Sequence, residues 1–243
     1  MATTRSALTE EDIRTLVKGA TVDERAMAAR KLCRSIDAGP LSPEDRESAG
    51  EILRLMAADA GELVRKAIVD TLKASVDVPR DVALKLARDV ESISLPMLNF
   101  SPEFTDTDLI EIVRLGGSVR QLAVARRPTL SRNVTEVLAE HGGERALAAA
   151  CANDNADFAE GALQKVIGRF ETSERVLAAM AYRAVLPLSV SERLVSLVGE
   201  QVRTHLASHH SLGPEVALQV AIGATERATV DLIDQAGRTT APG

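Results

Sequence analysis

Apolar residues recur at helical spacing along nearly the whole chain, as in Leu163, Val166, Ile167 and Phe170 or in Leu109, Ile112 and Val113. Alternating strand patterns with turn signals are missing, so the expected fold class is all-α. Helix start signals recur with the same regularity: Thr9, Thr21 with Glu24 three residues on, Ser42 before Pro43 and Asp45, Thr105 with Asp108, and Gly213 before Pro214. An N-cap oxygen accepts a bond from an otherwise orphan backbone N–H, and proline at the first helical position has no N–H to orphan. Stop signals alternate with them at Gly39-Pro40, Gly116-Gly117, Arg127-Pro128 and Gly142-Gly143. The predicted helices run near 9–19, 22–38, 43–60, 62–75, 79–90, 92–100, 105–115, 118–127, 131–141, 144–152, 157–170, 173–184, 190–209 and 214–236.

From about residue 78 the helices shorten and a unit repeats: an apolar residue, a capped helix, a brief turn and a second helix. Val78, Phe104, Leu130, Phe158 and Leu188 mark successive starts, 26, 26, 28 and 30 residues apart. The second helices of two units read Val119-Arg120-Gln121-Leu122-Ala123-Val124-Ala125 and Arg145-Ala146-Leu147-Ala148-Ala149-Ala150, and Leu63-Val64-Arg65-Lys66-Ala67-Ile68-Val69 echoes them upstream. Small alanines let helix pairs stack closely, each burying its apolar face against the next, which is the logic of an α-solenoid. The period is shorter than the roughly 33 to 47 residues of ankyrin, tetratricopeptide, HEAT or armadillo units.

The first 75 residues carry longer helices without a clear repeat and are expected to form an N-terminal bundle or cap over 1–76, followed by repeats over 77–210 and a C-terminal helix and tail over 211–243. In the last segment Val216, Leu218, Val220, Ile222, Val230, Leu232 and Ile233 lie nearly all round the helix. Such a helix either inserts into the fold or supplies a homo-oligomer contact, and insertion is the commoner outcome.

The string Ser118-Val119-Arg120-Gln121-Leu122-Ala123-Val124-Ala125-Arg126-Arg127-Pro128-Thr129-Leu130-Ser131, preceded by Phe104-Thr105-Asp106-Thr107-Asp108-Leu109-Ile110, resembles a bacterial, largely alphaproteobacterial, HEAT-like repeat family of unknown function. It also resembles leucine-rich-repeat-variant units, in which a similar string joins consecutive helices. Leu41-Ser42-Pro43-Glu44-Asp45-Arg46 and Leu63-Val64-Arg65-Lys66-Ala67-Ile68 extend the likeness over residues 20–200. The resemblance implies a fold and brings no catalytic motif.

Composition narrows the functions. Of 243 residues 45% are apolar but only 2% aromatic, so the core must be built from Ala, Leu, Val and Ile, and a mechanism that needs rows of base-stacking rings is disfavoured. The net charge of -6 disfavours a general nucleic-acid binder, and no apolar run reaches the roughly 18 to 20 residues of a membrane helix. Residues 1–11 do not resemble a secretory signal, and the two cysteines, Cys33 and Cys151, sit inside helical patterns, so a cytoplasmic protein is expected.

One stretch breaks the acidic trend, with Arg114, Arg120, Arg126, Arg127 and Arg132 close together. As a group these arginines could dock an acidic protein segment or a phosphate-bearing ligand through bidentate forks. Against that, Arg126 and Arg127 could simply complement a helix C-terminus while the rest pair with neighbouring acids, the commoner fate of a charged helix face. His205 and His209, four apart, fall on the arc of Leu194, Val198 and Val202, with His210 pointing away. They are weak metal candidates, because no third ligand is identifiable in His141 or Cys151, and they read as helix-end histidines at a core margin. Phe104 and Phe158, at equivalent repeat positions, read as inter-repeat core. No nucleophile elbow, P-loop, dinucleotide-binding glycine string or Cys-x-x-Cys occurs. The expectation is therefore a non-enzymatic scaffold or regulatory adaptor with no cofactor that binds a protein partner of acidic character through a curved surface. The alternative is nucleic-acid or phosphate binding through the same arginines.

Overall fold

The computed structural model describes residues 10–222, and among these residues every regular element is a helix. The chain divides into two compact units, Met1–Pro128 and Thr129–Gly243. The first holds α1 (Glu10–Lys18), α2 (Val22–Asp37), α3 (Pro43–Ala57), α4 (Glu62–Leu72), α5 (Arg80–Leu86), α6 (Glu91–Phe100), α7 (Asp106–Leu115) and α8 (Gly117–Ala125). The second holds α9 (Arg132–His141), α10 (Glu144–Cys151), α11 (Glu160–Arg169), α12 (Glu174–Ala181), α13 (Leu188–Val195) and α14 (Glu200–His209), after which a helical segment begins at Pro214.

The caps explain why the helices begin where they do. Thr21 and Thr105 form complete capping boxes with Glu24 and Asp108, and Ser42, Ser131 and Ser173 each accept a bond from the third helical N–H. Gly117, at φ 70°, lets α7 and α8 meet with only Gly116 between them, a backbone conformation that glycine adopts without steric cost.

In each unit alternate helices form two layers. In the first, α2, α4, α6 and α8 pack in succession, and α3 packs on α5; in the second, α9, α11 and α13 form one layer and α10, α12 and α14 the other. Packing of α3 on α5 and of α4 on α6 runs across residue 76, so the first four helices continue into the pairs that follow, and the division after Pro128 coincides with neither expected boundary at 76 or 210. The interior is aliphatic as the composition requires, with Leu32, Leu53, Ile68 and Ile93 buried in the first unit and Leu138 and Leu147 in the second.

Two expectations are corrected. The single helix over 190–209 is two helices, because the chain leaves helical geometry after Val195 and re-enters through Gly199, extended at φ -67° and ψ 169°. The segment from Pro214 to Ile222 does not insert into the fold along its described length, since Leu218 is 61% exposed and Ile222 is also exposed. Val230, Leu232 and Ile233, invoked for the same helix, lie outside the described residues.

A second force ties the layers together. Arginines reach back about one helix pair to main-chain carbonyls at helix ends. Arg127 donates to the carbonyls of Leu98 (2.6 Å) and Ser101 (2.8 Å), and Arg169 to those of Ala139 (2.7 Å) and Gly142 (3.0 Å). Arg183, only 8% exposed, bonds three: Cys151 (3.1 Å), Asn153 (2.9 Å) and Ala156 (2.9 Å). The last carbonyls of a helix lack intrahelical partners and carry the negative end of its dipole, so a guanidinium satisfies both needs. Phe104 lies under Arg127 with the guanidinium 5.9 Å from the ring centroid, and Phe158 lies under Arg183 at 5.3 Å. The equivalent phenylalanines are therefore floors for the arginines as well as packing residues.

Replacing Arg183 with Met should cost about 1–3 kcal/mol in urea unfolding, because three carbonyl contacts are lost in buried surroundings. The exposed Arg126→Met control should stay within about 0.5 kcal/mol of wild type. Equal stability of the two variants would show that the carbonyl bonds do not hold the second unit together.

Candidate functional site

The same residue type also links the loops at the other ends of the pairs in the first unit. Arg25, Arg65 and Arg120 all occupy the fourth position of an even-numbered helix, following the caps Thr21, Gly61 and Gly116. The first two behave alike. Arg25 clamps Asp59 with Nε (2.8 Å) and Nη2 (3.1 Å) while Nη1 bonds the carbonyl of Gly19; Arg65 clamps Asp89 with Nε (2.6 Å) and Nη2 (3.0 Å) while Nη1 bonds the carbonyls of Asp59 and Ala60. Both aspartates are largely buried, and the adjoining arginines hold their carboxyls below the usual carboxylate range.

Arg120 departs from this pattern. Among the described residues its Nη2 bonds the carbonyl of Asp89, at 3.3 Å, and its Nε is buried with no partner. The carboxylate of Asp89 is already held by Arg65 and the Val90 N–H. Beside Arg120 a hollow of about 200 Å³ opens between α5 and α7, lined by Leu84, Ala87, Arg88, Asp108, Glu111, Ile112, Leu115 and Gly116.

The five arginines singled out in the sequence thus divide. Arg127 is committed to carbonyls, and burial lowers its pKa from the usual guanidinium value. Arg132, in the second unit, pairs with Asp157 at 3.1 Å, both side chains being exposed. Arg120 lines the hollow. The side chains of Arg114 and Arg126 are exposed and form no hydrogen bond or ion pair among the described residues. Arg88, which the sequence reading did not single out, is likewise exposed and unpaired among the described residues.

The histidines form a ring cluster at the end of α14. His205 stacks on His209, with centroids 4.1 Å apart and planes 20° apart, and lies 4.3 Å from Tyr182. His210 does not point away: it ends the helix in extended geometry, its Nε2 lies 3.1 Å from the carbonyl of Ala181, and its ring stands edge-on to His205 at 6.1 Å. The break before Gly199 also puts Leu194 on a different helix from the histidines, so the shared arc does not exist. Among the described residues no group of three His, Cys, Asp or Glu side chains is arranged to hold a metal ion. Cys33 and Cys151 are buried, and burial pushes both thiols up to about 12, which leaves them protonated and unreactive at neutral pH.

An all-helical protein built of paired helices, with arginines placed at the junctions, is the class that these features define. Residues 93–243 match the DUF2336 family, described as an uncharacterised protein conserved in bacteria, and the chain belongs to it. No curated protein and no solved structure matches the chain.

Burial, and then the charges of His209 and His210, hold the pKa of His205 below the usual histidine value. A group that binds its proton more weakly in the folded state makes its contribution above its unfolded pKa, near 6.5, and loses it as pH falls further. The melting temperature should therefore drop between pH 7.5 and 5.5, and the drop should shrink in His205→Phe, which keeps a ring beside Tyr182 without the charge. An identical pH profile in the variant would exclude His205 as the source.

Proposed function

We propose that the chain is a non-enzymatic, HEAT-like helical-repeat protein, an α-solenoid of short helix pairs, that works in the cytoplasm as a scaffold or regulatory adaptor for a protein partner of acidic character. Support for the repeat reading comes from the two-layer packing of successive pairs within each unit and from arginines that recur at equivalent helix positions. Stacked helix pairs present long surfaces whose default use is macromolecular binding. The observation that carries the docking reading is that Arg114 and Arg126 stay exposed without partners among the described residues, whereas Arg127 and Arg132 are engaged. Arginine forks free of internal acids match carboxylates on another molecule.

Purified wild-type protein should recover a specific partner from lysate of its native cell, and the double variant Arg114→Glu, Arg126→Glu should lose it while melting within a few degrees of wild type. Undiminished capture would overturn the docking reading. If the ligand were nucleic acid, binding would fall steeply with salt, and detection of such a ligand in place of a protein would replace the partner named here.

A further inference from the structure

Exposed large apolar side chains are few in the second unit and unevenly spread. Among its described residues they are Tyr182, Val185, Leu188, Leu218 and Ile222, and the first three fall within seven residues, around the loop from α12 to α13. Apolar surface gathered in one place marks a contact for another molecule. The same loop lines an open hollow of about 510 Å³, to which it gives Val185, Leu186 and Pro187, while the loop after α10 gives Asp154, Asp157 and Phe158.

Main-chain groups are free there as well. Ala184 donates its N–H to Asp154 Oδ1, but no hydrogen bond among the described residues uses the main chain of Val185 or Leu186. The proline that follows restricts Leu186 to extended geometry, and Pro187 is itself extended at φ -60° and ψ 145°. Elsewhere in the unit an extended residue is already paired onto such a loop. Leu130 forms a parallel bridge with Ala156, accepting from the Asp157 N–H (2.9 Å) and donating to the Asn155 carbonyl (3.3 Å). We infer that the loop from α12 to α13 is a docking edge for an extended segment of a partner protein, which pairs with the main chain of Val185 and Leu186 and sets an aliphatic side chain in the hollow beside Phe158.

Charge selects the occupant. The carboxylates of Asp154, Asp157 and Glu160, which accepts a bond from Ser189 in the first turn of α13, outnumber the arginines Arg132 and Arg183 around the hollow. Arg183 offers nothing to an anion, because its side chain is buried and its Nη groups are spent on three carbonyls. Asp154 has no basic partner among the described residues. The segment therefore carries a lysine or arginine next to its aliphatic residue. A helix does not fit, since its main-chain groups are consumed internally, whereas an extended chain can add to an open edge. Its basic character separates this segment from the acidic partner assigned to Arg114 and Arg126 of the first unit, so the two surfaces stand or fall independently.

The probe is a fluorescein-labelled dodecapeptide alternating leucine and lysine, read by fluorescence anisotropy against the full-length protein. Two controls replace every leucine with serine or every lysine with glutamate. The leucine-lysine peptide should bind at least ~10-fold more tightly than either control. Val185 is 80% exposed, so Val185→Ser should weaken binding by ~10-fold without moving the melting temperature, whereas Val76→Ser, at an exposed valine of the first unit, should leave binding unchanged. Asp154→Asn keeps an acceptor for the Ala184 N–H but loses the charge, and should weaken binding several-fold. In wild-type protein carrying nitrogen-labelled valine, the Val185 amide, assigned by its absence in Val185→Ser, should shift on addition of the leucine-lysine peptide while the Val76 amide stays in place. Absent binding, equal binding of the three peptides, unchanged affinity in Val185→Ser, or an unmoved Val185 amide would overturn the docking edge. A dimer in sedimentation that separates in Val185→Ser would put a second copy of the chain on this loop and overturn the partner assigned here.

Discussion

Everything in the packing of these helix pairs depends on how the ends of short helices are satisfied. Helices of eight to ten residues leave a large share of their carbonyls without intrahelical partners, and the side chains that bury them are mostly small or aliphatic. Arginine resolves this by reaching across one pair to bond the carbonyls left over at the end of another, as Arg127, Arg169 and Arg183 do. The charge is stabilised by dipoles rather than by a carboxylate, and an aromatic face beneath Arg127 and Arg183 shields it further. Three of the five aromatic residues in the chain, Phe104, Phe158 and Phe170, lie against these arginines.

Much of this fold could be read before any coordinates. Thr21, Ser42 and Thr105 announce their helices because the capping chemistry is local and uses distinctive side chains. The break between α13 and α14 could not be seen in the same way. Leu194, Val198 and Val202 keep helical spacing straight through it, and Gly199 caps the new helix with no side-chain bond at all. The fates of the arginines were hidden for a different reason. A carboxylate partner leaves a trace in a sequence, but a carbonyl is carried by every residue, so nothing about Leu98 or Ser101 marks them as acceptors for Arg127. The placement of His210 is not legible either, because it lies just past the helix end, where extended geometry brings its ring to the Ala181 carbonyl and helical angles no longer apply.

The candidate site follows from the same economy of arginines. Where a junction arginine finds an aspartate, as at Asp59 and Asp89, it closes a rigid link between neighbouring pairs. Where α6 places Ser94 at the equivalent position the link is missing, and the hydroxyl is buried without a partner. Arg120 then bends back toward the Asp89 carbonyl, leaving an incompletely satisfied guanidinium next to a hollow. The hollow beside Arg120 thus coincides with a local lapse in the pattern of arginine–aspartate links.

The carbonyl bonds of Arg183 also set which lesions the second unit can absorb. Cys151, Asn153 and Ala156 accept through the main chain, so the bonds themselves do not depend on which side chains those residues carry. Inserting or deleting one residue between Cys151 and Ala156 changes the spacing of the three oxygens. The bonds are therefore indifferent to composition at the receiving end and sensitive to the length of the loop that carries it.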